Sequence, residues 1–167
     1  MMKKRSQGFS LIEVLVSVLI MAVGILGVAG MQVLSLQQNR NALLRDQALQ
    51  AGNDILDRMR ANPLSTYAPT AITDAPSANL NCVTSSCDRN EMAAFDIAQW
   101  KCRLNPFDTD GAVYQVCTDF NILTSSLPGG QGSITKDALL YTVTVTWVRD
   151  QSGNTSTITL RAQTESS

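Results

Sequence analysis

Few side chains in this sequence could do chemistry. They are four cysteines, Cys82, Cys87, Cys102 and Cys117, one acid, Glu13, set in an apolar run, and a Gly8-Phe9 junction just after a basic cluster. There is no histidine, which excludes Ser-His and Cys-His nucleophilic catalysis and the common zinc hydrolase sites. The scattered Asp and Glu residues form no acid-base or metal motif. Asn154-Thr155-Ser156 fits a glycosylation sequon but reads as a chance match in a turn. The chain is therefore expected to be no enzyme and to need no cofactor or metal.

The cysteines all follow the apolar segment, on the side that Lys3, Lys4 and Arg5 place outside the cytoplasm. An oxidising compartment favours two disulfides over a four-cysteine zinc site, and the spacing lacks the paired short knuckles of zinc ribbons. Spacing alone leaves three connectivities open. The expected pairing joins Cys82 to Cys87 and Cys102 to Cys117, because each pair is local and closes a short loop.

The second chemistry is peptide cleavage. From Val14 to Met31 there are 18 residues without a charge, about 27 Å of helix against a bilayer core of about 30 Å. A secretory signal places its small residue after a shorter apolar segment; here Gly8 precedes it. Cleavage after Gly8 would remove only the basic leader and leave the helix anchored, with a new amine at Phe9. Glu13 then matters, since an acid at mid-membrane costs about 2.5–3.5 kcal/mol, less near the interface. A neighbouring subunit's Phe9 amine about 4 Å away would return about 4 kcal/mol at an effective dielectric near 20.

Gly8-Phe9-Ser10-Leu11-Ile12-Glu13-Val14-Leu15-Val16 resembles the class III signal of type IV pilins and type II secretion pseudopilins. The resemblance implies cleavage between Gly8 and Phe9 by a prepilin peptidase, N-methylation of Phe9, and docking of the subunit into a helical filament through Glu13. It also implies insertion in the bacterial inner membrane with a periplasmic head, and later residence in the pilus fibre or at its tip.

These residues must be positioned by a long helix. Gly24, Gly27 and Gly30 recur within its apolar part, where they would permit close helix approach or local unwinding. From Gln32 to Ala61 the pattern turns amphipathic: Leu44, Ala48, Ala51, Ile55 and Met59 share one face, with Asp46, Gln50, Asn53 and Asp57 opposite. Asn62-Pro63 ends it. The expected segments are a leader at 1–8, a transmembrane part at 9–31, an amphipathic part at 32–61 and a disulfide-bonded head at 62–167.

In the head, residues 62–87 read as a loop. Asp88-x-x-Glu91 caps a helix with Ala93, Ile97, Trp100 and Leu104 on one face, stopping before Asn105-Pro106. Gly111–Phe120 reads as a strand by alternation, and Leu127–Gly132 as a turn. Tyr141–Val148 and Ser156–Ala162, separated by Asp150-Gln-Ser-Gly-Asn154, form a hairpin. The expected fold class is α+β, a long helix packed on a small antiparallel sheet.

Asp57-Arg58-Met59-Arg60-Ala61-Asn62, Asp96-x3-Trp100, Leu127-Pro128-Gly129-Gly130-Gln131-Gly132 and the closing hairpin resemble the minor pilins called PilV, or type IV pilus modification proteins. Cys102–Thr124 departs from that pattern. The resemblance implies a minor pilin that primes pilus assembly near the tip and supports twitching motility and adhesion. Its partners would be other minor pilins, the major pilin, a tip adhesin, the prepilin peptidase and the inner-membrane assembly platform. The alternatives are a type II secretion pseudopilin of the I type and a DNA-binding uptake pilin. Nucleic acid is disfavoured: without Lys3, Lys4 and Arg5, ten basic side chains face fourteen acidic ones, a net −4. The head from residue 62 carries only Arg89, Lys101, Arg103, Lys136, Arg149 and Arg161 as cations.

Overall fold

The computed structural model describes residues 10–163. The elements are α1 (Leu11–Ala61), α2 (Arg89–Leu104), α3 (Gln115–Asp119), β1 (Gln131–Asp137), β2 (Leu140–Val148) and β3 (Thr155–Gln163). By its internal contacts the chain divides into residues 1–41 and 42–167.

In the first unit the described residues form only the N-terminal part of α1. Leu11, Ile12, Val14, Leu19, Ile25, Leu26 and Leu34 all lie exposed, and the helix is long and apolar enough to cross a membrane. Nothing would meet a β-carbon added at Gly24, Gly27 or Gly30, so these glycines leave a smooth stretch of helix surface.

In the second unit α1 buries Leu44, Ala48, Gly52, Ile55, Leu56 and Met59, while Asp46, Gln50, Asn53 and Asp57 stay exposed. Asn62 closes the helix, its N–H reaching the Arg58 carbonyl at 3.1 Å, and Pro63 prevents continuation. The start of α2 is a full capping box. The Asp88 carboxylate accepts from Asn90 N and Glu91 N at 2.7 and 2.8 Å, and Glu91 Oε2 accepts from Asp88 N at 2.8 Å.

The sheet is antiparallel in the order β1-β2-β3. β2 alternates strictly, burying Tyr141, Val143, Val145 and Trp147, and pairs with β3 from Leu140↔Gln163 to Val148↔Thr155. Its buried row meets the stripe of α1 and the Ala93, Trp100 and Leu104 face of α2 in one core, which also takes in Tyr67, Leu127 and Ile134. The fold is α+β: a long N-terminal helix with a small three-stranded antiparallel sheet.

Two sequence expectations need correction. Gly111–Phe120 is no strand, since residues 115–119 form the helix α3 and only the isolated bridge Phe107↔Val113 pairs there. The Asp108 carboxylate accepts from Asp110 N and Ala112 N, each at 2.9 Å, and Gly111 takes φ +81°, so the chain turns before Tyr114. α3 then buries its single cysteine, Cys117. The second correction is β1. The turn at Leu127–Gly130 is present, closed by Gly130 N to Leu127 O at 3.0 Å, but Gln131 and Gly132 already belong to the strand.

Gly132 explains why β1 lacks an alternating signature. A β-carbon there would overlap the Trp100 ring and come within 2.7 Å of Leu104 Cδ1. The inward position that apolar alternation would mark is filled by the tryptophan instead.

Candidate functional site

Ser10 precedes α1, and its carbonyl accepts from Glu13 N at 3.0 Å and Val14 N at 3.3 Å. Glu13 thus sits in the first turn, where a carboxylate is favoured by the helix dipole. Ser17 Oγ donates to the Glu13 carbonyl at 2.7 Å, which leaves the carboxylate uninvolved. Among the described residues it has no ion pair, so its charge is uncompensated within the chain's described part. Gly8 and Phe9, the expected cleavage junction and methylation site, lie outside the described residues.

The four cysteines of the head are joined as Cys82–Cys87, with Cα atoms 5.6 Å apart, and Cys102–Cys117, 5.4 Å apart. Their settings differ. Cys102 and Cys117 are both fully buried, tying α3 to α2, with Phe95 and Phe120 edge to face at 4.8 Å. The Cys82–Cys87 link instead closes a partly exposed loop before the α2 cap, held to α3 by Asn81 Nδ2 donating to the Asp119 carbonyl at 3.1 Å.

Sequence reading missed the burial and partners of two polar groups, both on α2, although it singled out Asp96 in the Asp96-x3-Trp100 motif. Asp96, 6% exposed, accepts from Arg58 at 3.0 Å and from the Tyr67 hydroxyl at 2.7 Å. Burial first, then that hydrogen bond to Asp96, pushes the Tyr67 phenol well above its ordinary value. Lys101, also 6% exposed, donates to the Ala71 and Asp74 carbonyls at 2.7 Å each. Burial lowers its pKa, against the pull of Asp74. A polar residue flanked by apolar helix positions was the only signal of either: Asp96 between Phe95 and Ile97, Lys101 between Trp100 and Cys102.

These groups hold structure together. Arg58 and Asp96 are bonded to each other, and Lys101 is committed to loop carbonyls. A surface depression of about 660 Å³ is lined in part by Gln47, Gln50, Asp54, Arg103 and the hydroxyls of residues 124–126. It offers amides, hydroxyls and an Asp54–Arg103 pair at 3.8 Å, with no nucleophile beside a base. Among the described residues no cluster of three or more Cys, Asp or Glu could hold a metal ion.

Residues 3–29 match the model of the prokaryotic N-terminal methylation motif, a stretch that takes in Gly8, Phe9 and Glu13. Residues 30–98 match that of the type IV pilin Tt1218. Neither the curated proteins nor the solved structures hold a significant match to the chain. The two matches adjoin, the first on the apolar part of α1 and the second running through its amphipathic part to the middle of α2. Over residues 3–98 the chain is thus similar first to the N-terminal methylation motif and then, without a gap, to a type IV pilin domain.

Proposed function

We propose that the chain is a minor pilin of the PilV kind, a low-abundance subunit that primes pilus assembly and stays at or near the tip. Gly8 to Val16, with an acid five residues beyond the glycine at the head of an apolar helix, supports the pilin part of this reading, and Asp57–Asn62, Asp96-x3-Trp100 and Leu127–Gly132 with the closing hairpin support the PilV part. In this reading a prepilin peptidase cuts between Gly8 and Phe9, and Phe9 is N-methylated. Glu13 meets the Phe9 amine of a neighbouring subunit during docking. The head, in the periplasm before assembly, meets other minor pilins, the major pilin and a tip adhesin. The disulfides keep it folded there without a cofactor, and its role is structural rather than enzymatic.

Two experiments test the proposal. N-terminal sequencing of the protein recovered from sheared pili should start at methylated Phe9; an intact Met1 ends the reading. Deletion of the gene should abolish twitching and leave type II secretion intact. The reverse outcome would assign the chain to the pseudopilins.

A further inference from the structure

The depression of about 660 Å³ is a trench in the head, lined by α1, α2 and the segment 121–126. Gln47, Gln50 and Asp54 stand at positions i, i+3 and i+7 of α1, so they share one helix face over roughly 10 Å. The segment 121–126 is fixed at both ends by backbone bonds: Asn121 N to Thr118 O at 2.9 Å, Ile122 N to Cys117 O at 2.8 Å and Ser126 N to Arg103 O at 2.9 Å. Ser125 Oγ also donates to the Leu104 carbonyl at 2.8 Å. Trp100 Nε1, on the Ala51 carbonyl at 2.8 Å, ties α2 to the α1 side. The trench is thus preorganised. Its polar groups are not spent on the fold: among the described residues the Gln47 and Asn121 amides and the Thr124 and Ser126 hydroxyls make no hydrogen bond with the chain.

Chemistry narrows what such a trench can hold. Its one cation, Arg103, lies 3.8 Å from Asp54, so the pair offers no net charge to a phosphate or carboxylate. The peptide-binding modes do not fit. No lining residue belongs to a strand that could extend a ladder, the one lining aromatic, Trp100, is only 1% exposed, and polar side chains interrupt the apolar surface a docked helix would need. What remains is a neutral ligand that offers many hydroxyls and has C–H faces for Ala51, Ile122 and Leu123 to meet.

We propose that the trench binds a neutral oligosaccharide. Each side-chain amide presents a donor beside an acceptor, and so does the Asp54–Arg103 pair, an arrangement that matches neighbouring hydroxyls on a sugar ring. Thr124 and Ser126 add hydroxyls that both donate and accept. Leu123, 50% exposed, gains cover from the apolar face of the ring. The length fits a disaccharide unit, and the volume falls within the range of small-molecule sites, about 300–1,000 Å³. Asn121 holds a left-handed backbone at φ +56°, of the kind that clusters at ligand clamps. The site belongs to the head and does not depend on assembly into a fibre.

The test uses the full chain in micelles of a detergent without a sugar headgroup. It is applied to an array of neutral and sialylated oligosaccharides, and the tightest neutral one is then titrated by calorimetry. Neutral oligosaccharides should bind, and adding a sialic acid should not tighten them. Gln50→Ala and Asn121→Gly should each weaken binding roughly two- to tenfold, the loss of one hydrogen bond; glycine keeps the left-handed backbone at 121 without strain. Thr124→Trp, at an exposed position, should fill the trench and abolish binding. Thr157→Ala, exposed on β3, should leave it unchanged. Melting of each variant separates lost binding from lost fold. Failure of every neutral oligosaccharide to bind overturns the proposal. So does tighter binding of the sialylated forms, which would make Arg103 an anion receptor, or an equal loss in Thr157→Ala. None of these results touches the pilin reading, which N-terminal sequencing decides.

Discussion

Replacing Asp96 by alanine should cost the head about 2–3 kcal/mol, far more than an equivalent loss on its surface. Removing one partner of a buried ion pair typically costs about 3–5 kcal/mol, because the other charge is left uncompensated. Two features put Asp96→Ala at or below the bottom of that range. The Arg58 side chain keeps 20% of its exposure and retains Asp54 at 3.1 Å, and the Tyr67 hydroxyl still has the Arg58 carbonyl at 3.0 Å. For a folding unit of this size the loss lowers the melting midpoint by roughly 8–12 °C. Near-ultraviolet dichroism of Trp100 and Trp147, followed on heating the full chain in micelles, reads it directly. The comparison is Arg60→Ala, which breaks the pair with Asp57. There the two side chains are 61% and 68% exposed, so the loss should stay under about 0.5 kcal/mol. A cycle with Arg58→Met should show a coupling of at least about 1 kcal/mol. Equal costs for Asp96→Ala and Arg60→Ala, or an additive cycle, would refute the reasoning.

Gly132→Ala should cost about 1–3 kcal/mol by overpacking against Trp100 and Leu104, with altered tryptophan fluorescence. Gly52→Ala should cost less, although its β-carbon would lie 2.5 Å from Leu160 Cδ1, because that atom ends a flexible side chain and alanine favours the helix by up to about 1 kcal/mol; paired melts rank the two. Under graded reductant the Cys82–Cys87 bond should open first and Cys102–Cys117 only on unfolding, since both of its cysteines are fully buried; alkylation and peptide mapping give the order. The Tyr67 phenol is raised in the fold, so the stability it contributes is complete below the ordinary value near 10 and is lost as pH rises through the higher folded value. Alkaline melts of the native chain and Tyr67→Phe should converge toward high pH. Under the proposed docking role, Glu13→Ala should leave the melt unchanged while lowering copurification with minor pilins; normal copurification and piliation would remove Glu13 from docking.

Legibility followed the strength of each periodic signal. The α1 stripe, the Asp88–Glu91 box and the β2–β3 hairpin were readable because each repeats its pattern over several residues with defined ends. β1 was not, because Gly132 gives up its side chain to Trp100 and only Ile134 and the glycine face inward among its buried positions. α3 was misread because five residues are too few to separate a helical period from alternation. The N-terminal motif stood out for another reason: Gly8 and Glu13 break the apolar pattern in a way that folding alone would not require. The bonding roles of Asp96 and Lys101 were invisible because their partners, Tyr67 and the carbonyls of Ala71 and Asp74, lie about 30 residues away in sequence.

Those long-range polar contacts fix the helix to the head. An apolar stripe buries area without fixing position along the helix, since Leu44, Ala48, Ile55 and Met59 would tolerate a small slide. Directional bonds do not. Trp100 Nε1 donates to the Ala51 carbonyl at 2.8 Å, Arg58 to Asp96 at 3.0 Å, Tyr67 to the Arg58 carbonyl at 3.0 Å, and Asn62 Nδ2 to the Arg89 carbonyl at 2.8 Å. All four end on α1 from Ala51 onward or on Asn62, which closes it, and three involve α2, itself tied to α3 by a buried disulfide. The last three turns of α1 are therefore held in register against the head by geometry, not by burial alone. Under the proposed filament role, pull on the helix would reach the head through these bonds.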